Sequence, residues 1–171
     1  MYHEDIKGTY EPRLVAIFND LNSRFFNDQL PMPDAVCYDY RRVGSTKSYG
    51  RGGQIYYRYS DGHVWYIVVR GKQKGNAKHE ELTMLHEMVH LSLIVQFFNS
   101  DLPNTNYRVK DFVTDKSASF ILECAKVASK FGITFSDLAS WDTSIPDQET
   151  HITSTTYNEL QDAKSLLASL S

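Results

Sequence analysis

In the stretch ELTMLHEMVHLSLIV, His86 and His90 stand four residues apart, with Glu87 directly after the first. An α-helix rises about 1.5 Å per residue at roughly 3.6 residues per turn, so this spacing puts both imidazoles on one face. They can hold one ion from the same side. Zinc takes imidazole nitrogen at about 2.0–2.1 Å, and a hydrolytic site needs three protein ligands with a fourth position left to water. Glu87 lies about 100° further round, placed to receive a proton from that water without binding the metal itself. The competing reading is a core helix whose histidines are merely hydrogen-bonded. Leu82, Leu85, Met88, Val89, Ile94, Phe97 and Phe98 make most of the circumference apolar, as in a central buried helix. Two histidines and a glutamate in such a surface cost roughly several kcal/mol unless something satisfies them, and a metal ion would. His79 lies on the same stripe but about 10.5 Å away along the axis, out of reach of that ion, and reads as a solvated first-turn residue.

The elements that must position these residues follow from hydrophobic period and punctuation. EPRLVAIFNDLNSRFF reads as a helix, with Leu14, Ile17, Phe18, Leu21, Phe25 and Phe26 at helical spacing and Pro12 in its first turn. It stops at FNDQLPMPD, where two prolines and a turn break the pattern. AVCYDY, QIYYRYS and HVWYIVV, rich in aromatic and β-branched residues, read as strands, with GSTKSYGRGG and SDGH as turns. The metal-motif helix runs from about Ala77 to Phe98, and the loop NSDLPNTNY follows it. SASFILECAKVASKF is a further helix closed by Gly132. TTYNELQDAKSLLASL opens with a capping box, Thr156 with Glu159, and carries an apolar stripe of Leu160, Ala163, Leu167 and Leu170. Helix, then strands, then helices predicts an α+β domain with a small, mainly antiparallel sheet.

With 171 residues and 42% hydrophobic content, one well-packed domain over 1–171 is the expectation. A net charge of −3 and a pI near 6.0 argue against an overall electrostatic drive toward nucleic acid or acidic membranes, though not against local basic patches. Cys37 and Cys124 are far apart and form no C-x-x-C pair, so they read as reduced core residues. The polar opening MYHEDIKGTYEP has no apolar signal core, and no apolar run approaches a bilayer span, which together predict a soluble cytoplasmic protein.

FFNDQLP at 25–31, the region ending in WYIVV at 65–69, EELTMLHEMVH at 80–90 and SFILECAKVASKFGI at 119–133 occur in an order that resembles the SprT-like (Spartan-type) zinc metalloproteases. The resemblance covers about residues 10–135 and leaves a helical extension at about 136–171. It implies a zincin-like fold, a small sheet packed on a central metal-binding helix, one catalytic zinc ion, and hydrolysis of peptide bonds in a protein or peptide substrate. In the family's best-known members the substrates are proteins attached to DNA. The zinc ribbon that many relatives carry after this region has no counterpart here.

One departure bears on the site. The family takes its third ligand from a histidine four residues before the aromatic that opens the second helix, and counting back from Phe120 gives Lys116. A protonated lysine has no lone pair for a metal. Asp115 is the best substitute, because a carboxylate binds zinc at about 2.0–2.2 Å. The same aspartate could instead cap the helix that follows. Asp111, Glu123 and His151 are weaker candidates. Three functional readings therefore stand side by side. The first is a zinc peptidase in which His86, His90 and Asp115 bind metal and Glu87 is the base. The second is a weakened or inactive binding module of the same fold. The third is a DNA-docking protein using Arg41, Arg42, Lys47 and Arg51, or Arg70, Lys72, Lys74 and Lys78, against the simpler reading of these as solvated loop charges.

Overall fold

Pro12, whose fixed φ suits the first helical turn, starts a helix in the computed structural model that carries the first layer of the fold. The structure describes residues 2–39, 52–115, 117–132 and 138. Two compact units divide inside one long helix, Met1–Ser92 and Leu93–Ser171.

In the first unit a short helix α1 (Tyr2–Ile6) precedes α2 (Pro12–Phe26), which buries Leu14, Phe18, Leu21 and Phe26. Each such side chain contributes about 1.5–3 kcal/mol when fully buried. The chain leaves α2 through Asn27, in the left-handed region at φ 54°, where asparagine is tolerated better than most residues. The buried Asn22 then fixes the turn reciprocally: its Nδ2 donates to the Leu30 carbonyl at 3.0 Å and its Oδ1 accepts from the Leu30 N–H at 3.1 Å.

Three strands follow, β1 (Val36–Asp39), β2 (Gly53–Tyr57) and β3 (Val64–Arg70), in the spatial order β1-β3-β2. β1 runs parallel to β3, with Val36 opposite Ile67 and Tyr38 opposite Val69. β2 runs antiparallel to β3, with Gly53 opposite Val69 and Ile55 opposite Ile67, and its register slips at Tyr56/Tyr57. The sheet is therefore mixed, which corrects the expectation of a mainly antiparallel one. Alternation in sequence fixes which face a side chain takes but carries no strand direction. One face holds Ala35, Cys37, Tyr66 and Val68 against Ile6 and Trp65. Outside β1, Tyr10 bridges to Val36, and Val36 exchanges hydrogen bonds with Thr9 and Glu11.

A 3₁₀ turn (Gly71–Gln73) leads into α3 (Ala77–Phe98), which runs across the division. The second unit adds a 3₁₀ turn (Leu102–Asn104), α4 (Val109–Val113) and α5 (Ala118–Phe131). Val109 and Val113 of α4 are buried, and α4 packs on α5. Gly132, at φ 74°, ends α5 in the left-handed conformation, and its N–H bonds to the Ala128 carbonyl. The architecture is α+β. The helix expected over 156–170 lies outside the described residues.

Candidate metal centre

α3 begins at Asn76, whose carbonyl accepts from the Glu80 N–H at 2.9 Å. From there the helix is buried on most sides by Met84, Leu85, Met88, Val89, Leu91, Leu93 and Ile94. Its polar residues are buried as well: His86 is 2%, Glu87 4% and His90 8% exposed. At that depth water cannot carry the whole cost of their polar atoms, so protein groups or a ligand must.

The two imidazoles turn their Nε2 atoms toward each other at 3.3 Å. An ion in tetrahedral geometry, with bonds of about 2.0–2.1 Å, needs two ligand nitrogens about 3.3–3.4 Å apart. The observed spacing fits. The same distance also allows a long hydrogen bond if one ring donates through Nε2 and the other accepts. Asp115 adds a carboxylate to the group, and its ligand atoms all lie within 4.8 Å of one another. The described residues thus include a His86, His90 and Asp115 group able to hold a metal ion.

Asp115 owes its position to a turn built around Ser117. The Ser117 Oγ donates to the Phe112 carbonyl at 2.7 Å and accepts from the Phe120 N–H at 3.0 Å, while its own N–H bonds to the Thr114 carbonyl at 2.9 Å. Ser117, not Asp115, is therefore the cap of α5. The alternative role open to Asp115 in the sequence is filled by its neighbour.

The remaining candidates stand apart from this group. Asp111 is exposed and paired with Arg108 Nε at 2.9 Å. Glu123 is half-buried on α5 and does not belong to the group of possible ligands. Lys116 and His151 lie outside the described residues, as do Arg41, Arg42, Lys47 and Arg51. Of the second basic run, Lys72, Lys74 and Lys78 are exposed and Arg70 is half-buried. His79 is exposed in the first turn of α3, as its spacing implied.

One buried acid escaped the sequence reading. Glu80 is 0% exposed and meets Arg13 Nη2 at 2.8 Å, while the Tyr38 hydroxyl donates to its other oxygen. Those contacts tie α2 and β1 to the start of the metal-motif helix. Burial first, then the hydrogen bond and charge of Glu80, push the Tyr38 phenol well above its usual range. A glutamate in a first helical turn ordinarily reads as an exposed partner of the helix dipole. Only the two distant partners, Arg13 and Tyr38, could have signalled otherwise.

No described helix is long and apolar enough to cross a membrane. Comparisons with protein-family models, with curated proteins and with solved structures gave no match.

Proposed function

We propose that this chain is a zinc-dependent peptidase of the SprT-like kind, with the zincin-like arrangement that this resemblance implies. The observation that carries the reading is the convergence of His86 and His90 Nε2, 3.3 Å apart, with the Asp115 carboxylate, beside a buried Glu87 that is not part of the group. His86 and His90 would hold the ion through neutral imidazole nitrogens and Asp115 through a carboxylate oxygen. Bound there, zinc would supply Lewis acidity to the scissile carbonyl and to water. Glu87 takes the proton from the attacking water and hands it to the departing amine nitrogen as the peptide bond breaks, which is general-base then general-acid work for one carboxylate. A purely structural ion has no use for such a group.

The substrate class in this proposal is protein in extended conformation, and the resemblance extends it to DNA-associated proteins. Lysine at the family's third-ligand position favours the second reading, a weakened or non-catalytic module, and one experiment separates the two. Purified protein is assayed for zinc and for cleavage of an unfolded protein, beside Glu87→Gln. Expected is about one zinc per chain in both proteins, with cleavage by the natural chain alone. Zinc in both with cleavage by neither moves the chain to the non-catalytic reading. Metal-free protein, or full activity in Glu87→Gln, overturns the assignment.

A further inference from the structure

β2 begins at Gly53 and is preceded by Gly52, and neither glycine is required by a left-handed backbone. Space requires them. A Cβ added to Gly53 would lie 2.6 Å from the Val68 carbonyl oxygen, 2.7 Å from Thr83 Cγ2 and 3.5 Å from Glu87 Oε1. One added to Gly52 would lie 2.6 Å from Thr83 Oγ1 and 2.8 Å from Gln73 Nε2. Thr83 and Glu87 are four residues apart on α3, hence on one face, and both are buried. The bare backbone at the start of β2 therefore lies on the Thr83–Glu87 stripe with no side chain of its own between them.

We infer that Gly53 is a positioning residue for Glu87: its missing side chain lets the β2 backbone wall in the Glu87 carboxylate on the sheet side. The inference rests on the reading of Glu87 as the general base. A free glutamate samples several rotamers about three torsions, and the space beside Glu87 Oε1, where an added Cβ would stand in van der Waals contact at 3.5 Å, is left to the bare start of β2. A methyl group at position 53 has little room to be absorbed. The Val68 oxygen belongs to the backbone of the middle strand, which is held on both sides, so the strain passes to β2 and to Thr83, and through the shift of either to Glu87, one helical turn beyond Thr83 on α3. Displacing a reacting group by about 1 Å can cost on the order of 10²-fold in rate. At position 52 the nearest atoms belong to Thr83 and Gln73 side chains, and Glu87 is not among them, so that glycine serves as the control.

The test compares Gly53→Ala with Gly52→Ala. Three readouts are taken: the ¹³C shift of the Glu87 side-chain carboxyl in metal-free protein at one pH, the zinc content, and kcat and KM on an unfolded protein. Expected for Gly53→Ala are a moved carboxyl resonance, unchanged zinc content, and kcat lowered on the order of 10²-fold at nearly constant KM. Gly52→Ala should keep the resonance in place and kcat within about threefold. If Gly53→Ala does not fold, because the Val68 carbonyl oxygen 2.6 Å from the new Cβ cannot yield, the natural metal-free protein carries the test: side-chain ³J couplings of Glu87 that report one rotamer support the inference, and rotamer-averaged couplings overturn it. An unmoved resonance with undiminished kcat in the folded variant overturns the inference, and so does an equal loss in Gly52→Ala. A natural chain that binds no zinc, or an active Glu87→Gln, defeats the catalytic reading instead and leaves the carboxyl resonance as an independent measure of positioning.

Discussion

Asp115 sits in a sequence, TDKS, in which three of four residues can cap a helix. That redundancy leaves cap and ligand equally open for it in the sequence. Spacing alone made His86, Glu87 and His90 legible, because one helical turn brings the two histidines together without reference to anything distant. The proposed third ligand comes from elsewhere in the chain, and it is the hydrogen bond from the Phe120 N–H to Ser117 that shows Asp115 is not the cap. Two substitutions now give opposite results. Asp115→Ala should weaken zinc binding by more than about tenfold, since even the partners of metal ligands are worth 10–100-fold. It should leave the melting temperature of the metal-free protein nearly unchanged. Ser117→Ala should lower that melting temperature through a loss of about 0.5–2 kcal/mol. Metal titration and thermal melts of both variants, with Lys116→Ala as a neutral neighbour, decide the matter. Stoichiometric zinc at natural affinity in Asp115→Ala would remove Asp115 from the site.

Among the elements, α2, α3 and α5 are legible in the sequence to within a residue, because apolar periodicity, proline and glycine all act locally. α1 and α4 are not, each being five residues long and too short to show a period. Strand positions are legible but their pairing is not. HVWYIVV, the most apolar of the expected strands, forms β3 and is paired on both sides, which leaves it no edge to take an extended peptide. Among the described strands β1 and β2 are the outer two, and β1 is further bridged at Val36 by Tyr10, so the proposed strand addition by a substrate would fall to β2. The expected outcome is that an unfolded protein is cut well before its folded form; equal rates at many sites would count against it. The tie between β1 and α3 has a pH signature. A folded-state phenol pKa raised above 10.0 makes the Tyr38 contribution complete below that pH and lost as pH climbs through the folded value. Stability measured by urea midpoint from about pH 9 to 11 should therefore fall less steeply in Tyr38→Phe than in the natural protein. Equal slopes would show that Tyr38 does not govern this range.

For the molecule as a whole, charge sets the terms of any association with DNA. A net charge of −3 offers no general attraction, so docking would have to come from local clusters such as the exposed Lys72, Lys74 and Lys78. If that run neutralises phosphates, replacing its three lysines by alanine should flatten the dependence of log affinity on log salt, by about 0.9 for each phosphate of duplex DNA left without its lysine. An unchanged slope would return these lysines to the role of solvated charges. The strand order also governs how the protein comes to be folded. β1 and β2 precede β3 in the chain, yet each pairs with β3 and not with the other. A nascent chain that ends before Val64 holds two strands with no ladder to join, so the sheet cannot start to form until the last of the three has emerged. β2 then closes on β3 locally, across residues 58–63, whereas β1 must join β3 over the whole intervening stretch, the kind of non-local pairing that slows folding. Weakening β3 should retard refolding, while equal weakening of α5 should chiefly hasten unfolding.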